Sequence, residues 1–378
     1  MKGTAPCPVV DEPPGAARGF VAVALVVAVG LLCAVGAVNA VVDPYASLGT
    51  QIVAPMVWSD RGEKVDLFEA LDRPPEIVVL GSSRAMKLEP AYLERRTGRP
   101  GFNFAVSDGK APDAFAVASY AHDHSQGVRQ DYIWLMDLET FSDDPVDPRL
   151  LGTGELAAYL PTGARLKGKA EDLAWLLSWT TVRDSLRALA HEHDVDARDP
   201  ATEGDDERQV PRPEFAADGF RRWDGHDRRA EKGRTLDDML PASVKVFTAT
   251  YRDSFADLSP LAREYVERVL EATNAWGARL VIVLSPIHPR LREVLRPLGY
   301  DARHREALGY LQSLHGRYDF ILIDMTGLEA FGGSRAAFYD GVHMKVANTR
   351  RLIDAVIARS DAVIARSDAV LKPADDGE

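Results

Sequence analysis

The stretch Ile77-Val78-Val79-Leu80-Gly81-Ser82-Ser83-Arg84 decides how this chain is read. An apolar, mostly β-branched run stops at a glycine, and two serines and an arginine follow at once. A short continuous apolar run bounded by a turn reads as a strand buried on both faces, the kind that parallel sheets use. It is one of five such runs: Glu76–Leu80, Phe102–Val106, Tyr132–Asp137, Arg279–Leu284 and Phe320–Asp324. Helical patterns alternate with them. Ser259-Pro260 reads as an N-cap followed by proline at the first helical position, and the pattern runs on to a stop at Gly277. Another helix is expected from Asp301 to about Gly316. Strand–helix alternation predicts an α/β fold, a three-layer, doubly wound, five-stranded parallel sheet.

Composition narrows the function classes. The formal net charge of −12 argues against nucleic-acid binding, which needs concentrated positive charge. Cys7 and Cys33 lie in a polar leader and an apolar run, so no disulfide framework is expected. Phe20–Val42 carries no charge and is long enough to cross a ~30 Å hydrocarbon core as a helix. Lys2 and Arg18 precede it, and no Lys or Arg follows until Arg61. That asymmetry predicts a single-pass anchor with its N-terminus (residues 1–19) in the cytoplasm and its main domain outside. A cleaved signal peptide is the alternative, because Val38-Asn39-Ala40 resembles a cleavage site.

Residues 43–75 read as a connecting segment, residues 76–372 as the α/β domain, and 373–378 as a tail. A long insertion, about 145–255, separates the third and fourth strands. Its first half has amphipathic helical patterning. Its second half, about 194–240, is nearly half charged and reads as a loop or partly ordered lid. His191 and His193 lack further ligands at metal-binding spacing, so a solvated helix end is expected there. The heptapeptide DAVIARS occurs at 354–360 and again at 361–367, which extends the last helix.

In open α/β sheets ligands bind beyond the carboxyl ends of the strands. The serine turn sits at such an end. Taken alone it is an ordinary strand-to-helix turn or a nucleophile. A second block, Phe338-Tyr339-Asp340-Gly341-Val342-His343, lies between the fifth strand and the last helix. A serine hydroxyl needs a base to remove its proton, and an imidazole titrates near the working pH. The imidazole in turn needs a carboxylate to hold its tautomer. Ser83, His343 and Asp340 supply all three.

This layout resembles the SGNH (GDSL-type) hydrolase superfamily, in which a nucleophile follows strand one and an Asp-x-x-His block precedes the last helix. Within it the chain is similar to the membrane-anchored bacterial branches that include D-alanine transfer and alginate acetylation proteins. Gly81-Ser82-Ser83 stands where that family has Gly-Asp-Ser, and Asp340-Gly341-Val342-His343 matches the last block. The resemblance implies a flavodoxin-like fold with Ser83 as nucleophile, His343 as base and Asp340 as its orienting carboxylate. It also implies an oxyanion pocket drawing on Asn103 and the amide of Gly109. Asp108 stands where a glycine often falls, and Leu135-Met136-Asp137-Leu138-Glu139 lacks the asparagine donor of the family's third block.

Ser82, Arg84 and His288 are further pocket candidates. Arg84 suits either an anionic substrate or a salt bridge with Asp137, and His288 follows the fourth strand. Asp324 reads as a capping carboxylate, and Trp134, Trp175, Trp179 and Trp223 as packing residues. No metal, nucleotide or other cofactor is expected. The expected activity is that of a serine esterase or O-acyltransferase on an acylated cell-envelope glycan or polymer. The alternative is a catalytically weak relative that binds glycan or scaffolds an envelope assembly with protein partners.

Overall fold

The computed structural model describes residues 14–44, 60–163 and 214–371, with short stretches between 48 and 53 and between 176 and 189. The chain forms two compact units, residues 1–57 with 169–203, and residues 58–168 with 204–378. His191, His193, Trp175, Trp179, Cys7 and the 373–378 tail lie outside the described residues.

In the first unit one helix covers Pro14–Val42. Its segment Gly19–Val42 is long and apolar enough to cross a membrane, with a mean hydropathy of 2.9 over its most apolar 18-residue stretch, none of which is buried within the protein. Near its end the Asn39 side chain donates to the Leu176 carbonyl at 2.7 Å, and Val42, Val53 and Ala188 form a small buried cluster. Part of the insertion therefore belongs with this helix and not with the α/β unit.

The second unit is built on strands β1 (Ile77–Gly81), β2 (Gly101–Asn103), β3 (Asp131–Met136), β6 (Leu280–Leu284) and β7 (Ile321–Asp324). They form one all-parallel sheet in the order β2-β1-β3-β6-β7. Each expected run contains a strand, the second only at Phe102–Asn103 of its expected Phe102–Val106, because its apolar side chains serve both faces. Val78 and Leu80 of β1 pack with Phe68, Val117, Val266 and Leu311 of helices on one side. Ile77 and Val79 pack with Leu93, Leu352 and Ile353 on the other. Helix Pro260–Ala275 begins at its proline and ends before Gly277, as its sequence signals require. Ser259 makes no side-chain cap there. The repeated heptapeptide lies in one helix, Val346–Leu371.

One expectation needs correction and another is refined. The segment read as a connector contains helix Asp60–Glu69, which is part of the core. Arg61 is fully buried against Asp113 at 2.8 Å and Asp147 at 3.2 Å. Lys64 is also fully buried and donates to the carbonyls of Asn103 and Gly219. Arg61 and Lys64 of this charged run are buried against partners, Asp113, Asp147, Asn103 and Gly219, that are remote in sequence.

The charged stretch, read as a loop or partly ordered lid, is ordered from Glu214 on, and its residues before that lie outside the described residues. It forms an antiparallel hairpin, β4 (Glu214–Phe215) and β5 (Arg221–Trp223), then helices Gly225–Glu231 and Leu236–Asp253. The hairpin docks beside β2, where the Asn103 amide donates to the Asp218 carbonyl at 2.9 Å. Gly219 makes that approach possible. It holds φ +76°, and a Cβ would lie 2.3 Å from the Asn103 carbonyl oxygen.

Candidate active site

The sheet order reverses beside β1, so the crevice beyond the carboxyl ends of β1 and β3 is the expected ligand position. β1 ends at Gly81, whose φ of +146° only glycine adopts readily. A Cβ there would lie 2.7 Å from the Leu135 carbonyl oxygen. The chain thus turns hard at the strand end and presents Ser82 and Ser83 to a cavity of about 540 Å³.

Ser83 Oγ lies 2.9 Å from His343 Nε2, and His343 Nδ1 lies 2.8 Å from Asp340 Oδ2. A carboxylate only accepts, so Nδ1 carries the proton and Nε2 is left to receive one from the serine. The Asp340 turn is self-closing, because Oδ1 accepts from the amides of Val342 and His343, both at 2.8 Å. Phe338 and Met344 bridge across the base of this loop, and Ser243 and His288 pin Gly341 from outside. Two residues three apart in one loop and a serine 260 positions from the histidine therefore meet in one continuous hydrogen-bonded chain.

Burial would push the Asp340 carboxyl up, but the neighbouring His343 and hydrogen bonds from His226 and His343 hold it far below the usual carboxylate range. Burial pulls His343 below the ordinary imidazole value. Asp340 opposes that pull, and His226 adds to it. The base is thus a free imidazole near neutral pH.

Comparison with models of known protein families and with curated proteins finds no match.

The remaining candidates divide. Ser82 faces inward and donates to Asp137 Oδ2, while Ser285 donates to Asp137 Oδ1 at 2.7 Å. Asp137 thus ties together the ends of β1, β3 and β6. Arg84 lines the cavity, but its guanidinium is buried against Glu139 at 2.8 Å and near Asp137 at 3.5 Å. Burial lowers its basicity, and these two carboxylates more than restore it.

Asn103 is not in the pocket. It is fully buried, its amide donates to the carbonyls of Ala85 and Leu88, and its Oδ1 accepts from the Ala105 amide. The Gly109 amide is not free either, for it donates to Val106 at 3.0 Å. Gly109 lines the cavity through close backbone packing on the Gly81 carbonyl. His288 lies outside the cavity lining, with Nδ1 accepting from the Arg290 amide at 3.2 Å as a helix cap. Asp108 sits at φ +52° and turns its carboxylate outward to Arg149 at 3.0 Å. Asp324 accepts from His304 and Thr326. Trp134 is buried in the core, and Trp223 donates to Glu231.

Sequence reasoning missed His226. It comes from the charged stretch, at the start of helix Gly225–Glu231, which Asp224 caps through the amides of His226 and Asp227. Its Nε2 lies 3.2 Å from Asp340 Oδ2, and its ring centroid is 4.2 Å from that of His343. The one signal was Asp224-Gly225-His226, a partial echo of Asp340-Gly341-Val342-His343. His226, Asp340 and His343 are the described residues with metal-compatible spacing, with donor atoms within 4.8 Å of one another. Their N···O separations of 2.8 and 3.2 Å are hydrogen-bond lengths. Two ligands held at about 2.0–2.1 Å around a tetrahedral zinc stand roughly 3.3 Å apart. The 2.8 Å His343–Asp340 separation is shorter than that spacing, so this pair is a hydrogen bond.

Proposed function

We propose that this chain is a membrane-anchored, extracytoplasmic serine esterase or O-acyltransferase with an SGNH-type, doubly wound domain, acting on an acylated cell-envelope glycan or polymer. The observation that carries the reading is the continuous path Ser83–His343–Asp340. Sidedness rests on the charge bias around Phe20–Val42. The substrate class rests on resemblance to the anchored branches of the superfamily.

In this mechanism Ser83 Oγ attacks the ester carbonyl carbon and passes its proton to His343 Nε2. The imidazolium then protonates the departing alkoxide, leaving an acyl-serine. Water gives hydrolysis, and an acceptor hydroxyl gives transfer. With Asn103 and the Gly109 amide committed elsewhere, the amides to consider for the oxyanion are those of Ser83 and Asp108. Among the described residues neither has an internal acceptor. Loss of one donor from such a site typically costs about 10²–10³ in rate.

A second reading is favoured by the same shortage of donors: a binding module that retains the relay but turns over poorly. The two separate on labelling of the full-length, detergent-solubilised chain with a serine-reactive fluorophosphonate. Labelling of wild type that disappears in Ser83→Ala and falls sharply in His343→Ala is the expected result. A folded wild type that stays unlabelled beside a reactive control esterase would replace the enzyme with the binding module.

A further inference from the structure

His226 has both ring nitrogens against carboxylates. Nε2 is 3.2 Å from Asp340 Oδ2, and Nδ1 is 3.4 Å from Asp224 Oδ1. Neither carboxylate can donate, so each nitrogen must carry hydrogen for both contacts to be favourable, and an imidazole with two N–H groups is a cation. We propose that His226 is a positively charged positioning residue, clamped between Asp224 and Asp340, which holds the Asp340 carboxylate and tempers the basicity of His343. This rests on the serine-relay reading above.

Asp340 Oδ2 is shared by the two rings, while Oδ1 is occupied by two backbone amides. With all its acceptor positions engaged, the carboxylate has little freedom to rotate away from His343. Sharing also has an electrostatic consequence. A cation beside the same oxygen offsets part of the negative charge that would stabilise a protonated His343, so the base stays free to lower pH.

The other charged groups around His226 divide in sign. Arg221 pairs with Asp224 at 2.7 Å and opposes a charged ring. Lys87 is paired with Asp227, which also accepts from Tyr339, whose ring lies 5.9 Å from His226. The two carboxylates in direct contact outweigh these more distant groups. Burial alone would lower His226, but hydrogen bonds to Asp224 and Asp340 raise it above the ordinary imidazole value.

The test is histidine-selective NMR titration of the full-length chain in detergent micelles, with fluorophosphonate labelling rates measured over the same pH range. In His226→Gln the His343 midpoint should rise by about one pH unit, a tenfold change in proton affinity. The acid limb of labelling should move with it, and His226→Arg, which keeps the charge, should restore both. A His343 midpoint that is unchanged or lower in folded His226→Gln overturns the proposal. Should that variant not fold, Asp224→Asn serves instead. The midpoint of His226 itself must then fall, and an unchanged midpoint refutes the clamp. If wild type titrates as described but does not label, the esterase reading fails while the His226 assignment stands.

Discussion

Asp340→Asn removes one charge and one acceptor while keeping the shape of the side chain. The two amides that Oδ1 accepts, from Val342 and His343 at 2.8 Å each, determine which way the new carboxamide faces. Its NH2 cannot face two N–H donors, so its oxygen stays there and its NH2 takes the Oδ2 position, against His343 Nδ1 and His226 Nε2. A donor facing Nδ1 makes that nitrogen the acceptor and moves the ring proton to Nε2. The hydrogen then points at Ser83, and the base cannot take the serine proton. The same substitution in a serine–histidine–aspartate triad lowers turnover about 10⁴-fold, which is about 5.4 kcal/mol of barrier. The assay is the second-order rate of fluorophosphonate labelling at pH 7.5 on full-length protein, with a thermal melt of each sample to establish folding. A rate within tenfold of wild type, in a variant that melts normally, would refute the relay as derived.

Two further predictions concern the frame that holds the site. Gly81→Ala places a Cβ 2.7 Å from the Leu135 carbonyl at a positive φ, so it should cost about 3 kcal/mol and lower the melting temperature by roughly 5–10 °C. A melt unchanged within 1–2 °C would contradict the strain argument. Burial holds Lys64 at about 7, below its ordinary value of 10.5. The unfolded chain then binds more protons between these values, so stability falls as pH drops from the unfolded pKa toward 7, by up to ~1.4 kcal/mol per unit. Lys64→Met should flatten stability across pH 7.5–10, and an unaltered slope in thermal melts would place the Lys64 charge elsewhere.

Legibility of the chain followed how local each signal is. The β strands were readable because burial on both faces demands uninterrupted apolar runs, a property carried within five or six residues. Ser83 and the Asp340–His343 pair were readable because each occupies a strand end or a tight loop with its own punctuation. The roles of Arg61, Lys64 and Asn103 were not. Their side chains satisfy partners dozens of positions away, and nothing nearby distinguishes a buried charge from a solvated one. Asn103 illustrates the point. Its position at the end of the second strand suggested a pocket residue, but the turn below Ser83 exposes two carbonyls, and the carboxamide is consumed by them.

From the sequence alone came the apolar N-terminal helix, the five-stranded parallel α/β sheet and the three residues of the relay, because periodicity, strand-end glycines and short-range turns are encoded where they act. The tertiary structure decided what surrounds them. It sent the Gly109 amide and Asn103 into the frame, paired the Asp108 carboxylate with Arg149, and brought His226 onto Asp340 across 114 positions of chain. Hydrogen-bond partners are allotted by distance in space, after the helices and hairpin have docked, and the order of residues along the chain does not contain that allotment in any local form.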